Sequence, residues 1–110
     1  SNPRLADRYD LLAPSVLAFL HMIFKACAEA NVPVTLCGEM GGRPIEAMAL
    51  VALGLRRISI SPTSIGPVKR MIRSVHMGQL QQFLLSNIGS PEHSIRDSLV
   101  HFARDHGIKV

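Results

Sequence analysis

The sequence predicts an α/β fold of parallel βαβ construction, forming one arc of a larger α/β fold. Three observations predict it. Residues 34–37 and 57–61 are short runs in which apolar and polar side chains alternate, the pattern of half-buried strands. Helical apolar spacing precedes the first run and follows both. Two parallel strands alone would leave both edges open and one face bare, whereas parallel sheets are normally covered on both faces.

The elements follow in order. Residues 14–30 predict a helix, with Val16, Leu20, Ile23, Cys27 and Ala30 on one apolar stripe. Pro14 suits its first turn and Ser15 its start. Asn31-Val32-Pro33 ends it, because a residue before proline is pushed out of helical geometry. In the strand at 34–37, Val34 and Leu36 share one face and Thr35 and Cys37 the other. Residues 38–43 read as a turn. Residues 44–55 predict a helix with Pro44 at its first position, an apolar side of Met48, Val51, Ala52 and Leu55, and Gly54 near its end. After the strand at 57–61, residues 61–64 read as a loop and 66–75 as a helix carrying Val68, Met71, Ile72 and Val75. A short helix at 79–85 centres on Leu80, Phe83 and Leu84. Ser90-Pro91 is expected to cap a last helix that turns Ile95, Leu99 and Phe102 inward.

With 110 residues, the chain has room for one small domain with a modest core. It begins Ser1-Asn2-Pro3 without an initiator Met, so a cut-out segment with Ser1-Asn2 as a cloning remnant is expected. No apolar run approaches the roughly 20 residues of a membrane span. Two cysteines make no disulfide framework, which fits a reducing cytoplasm. The net charge of +4 raises the question of nucleic acid, but the basic residues are scattered and no aromatics interleave with them to stack bases.

Cys37 is the first candidate for chemistry. It ends a strand, and in a βα-barrel active sites lie at the carboxyl ends of strands. There Thr35 and Cys37 would face the interior, and a neutral thiol is an acid that can donate a proton. The same spacing also fits a small buried cysteine before a turn. Gly38, Gly41 and Gly42 precede a helix and would let backbone amides approach an anion, or simply form a turn. Glu39 is a candidate base, metal ligand or orienting group, and equally a surface residue. Ser59 and Ser61 are candidates for polar lining. Cys27 belongs to the helical stripe and reads as structural. His21, His76, His93, His101 and His106 show no metal-ligand spacing and read as structural or solvated.

Beyond these readings, Cys37-Gly38-Glu39-Met40-Gly41-Gly42-Arg43-Pro44 resembles the Cys-Gly-Glu signature of enzymes that use phosphoenolpyruvate (PEP). That family includes enzyme I of the bacterial sugar phosphotransferase system, its nitrogen-branch paralogue, pyruvate phosphate dikinase and PEP synthase. The flanks agree: residues 2–17 resemble the segment after the sixth barrel strand of enzyme I, and residues 53–74 its eighth strand and following helix. The resemblance implies a PEP-binding (β/α)8 TIM barrel, of which residues 1–110 would be the C-terminal arc, strands seven and eight with closing helices. A full barrel takes about 250 residues.

The implied activity is that of a PEP–protein phosphotransferase. The phosphoryl group of PEP passes to a histidine on a separate mobile domain, with Mg²⁺ bound, and the enolate left behind is protonated to pyruvate. Cys37 takes the position of the proton donor, with Gly38 and Glu39 as substrate-binding or supporting residues of the motif. The Mg²⁺ ligands, the phosphate-binding arginines and the phospho-accepting histidine are expected upstream, so this stretch alone is expected to be inactive. The implied partners are PEP and pyruvate, a phosphocarrier protein of the HPr type and a second copy of the chain, with neither nucleic acid nor membrane, in the cytoplasm. Arg56-Arg57 stands where enzyme I commonly has acidic residues. The terminus of a pyruvate phosphate dikinase or PEP synthase, or a dimerisation and assembly module, are the alternative readings.

Overall fold

A computed structural model describes residues 10–38 and 40–110, apart from the side chain of Met40. Glu39 and the flanking residues 2–9 therefore lie outside the described residues. Helix α1 (Pro14–Glu29) starts with Pro14 at its first position, after Ala13, and has no side-chain cap. Ser15 is exposed and does not cap it. Its end is a Schellman wrap: Asn31 sits at φ 57°, Val32 N–H donates to the Cys27 carbonyl at 2.8 Å, and Asn31 N–H to that of Ala28 at 3.2 Å. A left-handed Asn31 thus stops the helix before the restriction from Pro33 applies. The inward stripe is also rotated from the predicted one. Leu17 and Phe24 are buried, Val16, Leu20, Ile23 and Cys27 are half-buried, and Ala30 is exposed. Phe19 and Met22 are exposed on the far side, so this helix is apolar nearly all round and periodicity alone leaves its inner face undefined.

Strands β1 (Thr35–Cys37) and β2 (Arg57–Ser59) pair in parallel, with Thr35 opposite Arg57, Leu36 opposite Ile58 and Cys37 opposite Ser59. The alternation is as read: Val34, Leu36, Ile58 and Ile60 pack against the core, while Thr35, Cys37, Arg57 and Ser59 are exposed. Among the described residues these two strands are the whole sheet, so both edges are unpaired and one face is bare.

Helix α2 (Pro44–Ala52) is the connection between the strands and the centre of the molecule. Glu46, Ala47, Met48, Ala49, Leu50 and Ala52 are all buried, so it is covered on nearly every side rather than along one stripe. It ends three residues before the predicted boundary. Gly54, at φ +116°, donates to the Val51 carbonyl at 3.1 Å, and Leu55 N–H donates to that of Leu50 at 3.1 Å. A side chain at Gly54 would strain this second Schellman wrap. Arg56 then places Nη1 2.8 Å from the Val51 carbonyl and 3.0 Å from that of Leu55, a cation at the negative end of the helix.

Helix α3 (Pro62–Ser74) begins four residues before the predicted start, so most of the expected loop at 61–64 is its first turn. Pro62 occupies the first position, where a missing N–H costs nothing. Val68 and Met71 are buried, whereas Ile72 is exposed. Helix α4 (Met77–Asn87) buries Leu80 and Leu84 and is capped by His76, whose Nδ1 accepts from Gln79 N–H at 3.3 Å. Helix α5 (Arg96–Asp105) starts later than Ser90-Pro91 suggested. Ser90 Oγ accepts instead from Glu92 N–H in a local turn at 3.2 Å, and Ser94 Oγ accepts from Arg96 N–H at 3.2 Å. Leu99 and Ala103 of α5 are buried, and the half-buried Phe102 ring stacks between Phe83 at 4.5 Å and His106 at 4.1 Å.

The core gathers around α2, which touches α3, α4 and α5. Leu12, Leu17, Met48, Leu50, Leu55, Met71, Leu80, Leu84, Ile95 and Leu99 are its fully buried large side chains. Each contributes roughly 1.5–3 kcal/mol by leaving water. The chain closes in the same manner as α2: Ile108 N–H donates to the Ala103 carbonyl at 2.8 Å, and Lys109 N–H to Ser74 Oγ at 2.9 Å. No helix among the described residues is long and apolar enough to cross a membrane.

Candidate functional site

Both strands point their carboxyl ends at one cleft. It has a volume of about 520 Å³ and is lined by Gly38, Gly42, Arg43, Ser59, Ile60, Ser61 and Ser64. Clefts outside the carboxyl ends of parallel strands are where α/β proteins place ligands. Cys37 lies one residue before Gly38 and opposite Ser59, on the exposed face of the sheet, and is a free thiol. Gly38 adopts φ +117° as the chain leaves β1. A short 3-10 turn (Met40–Gly42) then leads to α2.

Close packing fixes where this loop runs. A Cβ on Gly41 would come within 2.6 Å of Ile58 Cγ2, and one on Gly42 within 2.8 Å of Ser64 Oγ. The two glycines therefore let the loop press against β2 and the start of α3. Ser61 Oγ lies 3.3 Å from Thr63 Oγ1 and 3.2 Å from Ser64 Oγ, so three hydroxyls cluster at that helix start.

Behind the loop lies a charged network that the sequence reading missed. Glu46, on the first turn of α2, is 1% exposed. Its Oε1 accepts from Arg96 Nη1 at 2.6 Å, and Arg96 Nη2 donates to Asp10 Oδ1 at 2.8 Å. Asp10 also accepts from Ser94 Oγ at 2.7 Å and Leu12 N–H at 3.0 Å. Burial pushes the Asp10 carboxyl up, but the hydrogen bonds from Arg96, Ser94 and Leu12 outweigh it and hold its pKa at about 2. The bond to Asp10 is the main reason that the Arg96 guanidinium is held above its ordinary value; burial opposes it and Glu46 adds to it. The other oxygen of Glu46, Oε2, lies 3.4 Å from Arg43 Nε and has no hydrogen bond among the described residues. A lone carboxylate in the densest apolar run of the chain was the available signal, since a buried charge needs a partner.

The structure thus brings Cys37, Gly38, Ser59 and Ser61 to one end of the sheet. Glu39 is outside the described residues. Cys27 is half-buried on α1, away from this cleft, and also a free thiol. Of the histidines, His76 caps α4 and His106 stacks on Phe102. The described residues do not fit Mg²⁺. They hold no group of three His, Cys, Asp or Glu that would bind a metal ion, and no carboxylate among them lines the cleft. A guanidinium and serine hydroxyls beside a thiol suit an anionic ligand and proton donation.

Comparison with known proteins is consistent in kind. Residues 1–77 match the family model described as PEP-utilising enzyme, PEP-binding domain. The chain is 35% identical over 81 residues to the phosphoenolpyruvate-dependent phosphotransferase system protein of Salmonella typhimurium, covering 74% of this chain and 11% of that protein. It is 35% identical over 77 residues to the phosphoenolpyruvate-protein phosphotransferase of Cupriavidus necator, covering 70% and 13%. To the probable phosphoenolpyruvate synthase of Pyrococcus horikoshii it is 32% identical over 71 residues, covering 64% and 9%. The chain therefore spans only about a tenth of the length of these relatives.

Proposed function

The chain belongs to the PEP-utilising enzymes, within their PEP-binding domain, and from that premise we propose that it serves a PEP–protein phosphotransferase. In that reaction the P–O bond of PEP breaks, the phosphoryl group passes to a histidine nitrogen of a protein acceptor, and the enolate of pyruvate remains. Cys37 then gives its S–H proton to the enolate carbon, forming pyruvate, and the thiolate takes a proton back from water. The position of Cys37, exposed at the carboxyl end of β1 beside a cleft suited to anions, is the observation that carries this reading. Gly38 shapes the exit from the strand, and Glu39 is assigned to the site by the motif alone.

The bare sheet face and open edges support completion of a (β/α)8 TIM barrel by other parts of the intact protein, residues 1–110 being its C-terminal arc with strands seven and eight. Mg²⁺ would neutralise the phosphate of PEP when bound, held by ligands outside the described residues. An HPr-type phosphocarrier would be the downstream partner, and a second copy of the chain the assembly partner. The likeness to the Pyrococcus synthase favours one other reading, a PEP synthase, whose intact chain would carry an ATP-grasp domain.

The test is to incubate the intact protein with PEP labelled at phosphorus and an HPr-type carrier. Label on a carrier histidine and stoichiometric pyruvate are expected. Pyruvate formation that requires a nucleotide or free phosphate as acceptor would favour the synthase reading.

A further inference from the structure

We propose that Arg43 binds an anionic group in the strand-end cleft, the phosphate or carboxylate of a phosphorylated carboxylic acid, and that Glu46 positions it. This rests on the PEP-binding reading of the cleft and adds a substrate-binding residue to it.

Arg43 is the one charged side chain lining the cleft among the described residues; Gly38, Gly42, Ser59, Ile60, Ser61 and Ser64 are neutral. Its tether is specific. Arg96, itself held by Asp10, occupies Glu46 Oε1 at 2.6 Å, which leaves Oε2 buried and free of hydrogen bonds among the described residues. Arg43 Nε lies 3.4 Å from that oxygen. The side chain is nonetheless 61% exposed, and its two terminal nitrogens make no hydrogen bond to a described residue. A guanidinium anchored at Nε presents its terminal pair as a planar fork, the geometry that grips carboxylate or phosphate with two parallel bonds. The neighbouring hydroxyls complete the site. Gly42 is close enough to Ser64 Oγ that a Cβ there would sit 2.8 Å away, so the backbone leading into Arg43 rests against the Ser61, Thr63 and Ser64 cluster. Those hydroxyls can donate to the oxygens that the fork leaves free.

The experiment measures binding of PEP, pyruvate and inorganic phosphate to the intact protein by calorimetry, with melting curves run beside it. Arg43→Gln, at an exposed position, is expected to keep the fold and to weaken PEP about tenfold to a hundredfold. A parallel loss for inorganic phosphate assigns Arg43 to the phosphoryl group; a loss for pyruvate assigns it to the carboxylate. Unchanged affinity for all three probes in folded Arg43→Gln overturns the proposal. Glu46→Gln separates positioning from charge. Removing a negative charge near the cleft would by itself tighten anion binding, whereas loss of the tether should weaken it about threefold to tenfold. Tighter or unchanged binding in Glu46→Gln overturns the positioning role. If the wild type binds inorganic phosphate through Arg43 but not PEP, the reading of the substrate fails and the anion site stands. If wild type and Arg43→Gln bind PEP equally, the substrate reading stands and this site falls.

Discussion

At the carboxyl ends of β1 and β2 most described side chains are polar and exposed; behind α2 they are apolar and buried, around a single charged network. The open side includes Cys37, Gly38, Gly42, Arg43, Ser59 and Ser61. The closed side is built by α2, α4 and α5, with Leu50, Leu80, Leu84, Ile95 and Leu99 fully buried. Most of α4 and all of α5 lie beyond the stretch matched by the family model, yet they supply much of this core. The difference separates two duties. The polar side chains of the open side can be changed with little effect on the fold, and the apolar side chains of the closed side with little direct effect on chemistry.

The largest expected effect tests the open side. Cys37→Ala in the intact protein should slow pyruvate formation by about 10²- to 10⁴-fold while leaving the melting temperature within a degree or two, because the thiol is exposed. Near-normal turnover would remove Cys37 from the site. The closed side should behave in the opposite sense: Leu99→Ala should lower unfolding free energy by about 2–5 kcal/mol in denaturant titration. A smaller loss would mean that α5 is less integral than its burial implies.

Next in size is the network. Arg96→Met leaves the Glu46 carboxylate buried without its 2.6 Å bond, at an expected cost of about 1–3 kcal/mol, with Arg96 exposure of 38% favouring the lower part. Adding Glu46→Leu should recover part of that loss, since an apolar replacement of a buried ion pair is often neutral or better. A double variant weaker than the sum of the two single ones would contradict this account of the network. The smallest effect is one of pH. The Asp10 carboxyl is depressed from 3.8 to about 2, so its contribution is complete above 3.8 and disappears as pH falls through about 2. Asp10→Asn should flatten the stability curve within that window, and an unaltered acid limb would show that Asp10 is not its source.

What was legible in the sequence followed from local periodicity. Val34 and Leu36 pack inward while Thr35 and Cys37 are exposed, because a strand of period two puts the two pairs on opposite faces and the apolar pair is the one that gains by leaving water. Periodicity served less well where a helix is apolar on several faces: the α1 stripe turned toward Leu17 and Phe24, and α2 is buried nearly all round. Termini shifted where the stop signal is a backbone conformation, as at Gly54, or where a proline opens a helix, as at Pro62. Ser90-Pro91 carries cap-like residues, but Ser94 supplies the hydroxyl that Arg96 N–H uses. For the candidate site, the motif marked Cys37 and its loop. The Arg96–Glu46 bond, between residues 50 positions apart, leaves no trace in any local window, so the support behind Arg43 became visible only in three dimensions.

Leu55 and Ile108 each complete the wrap that closes a helix and enter the core in the same step. The chain has no slack at those two exits: one added residue would rotate everything after it out of register with the hydrogen bonds already formed. Gly89, Pro91, Glu92 and His93 are exposed between α4 and α5. Extra length there is absorbed at only the slowly growing entropy of a longer loop, so that stretch is the natural place to open the chain or to carry an inserted reporter.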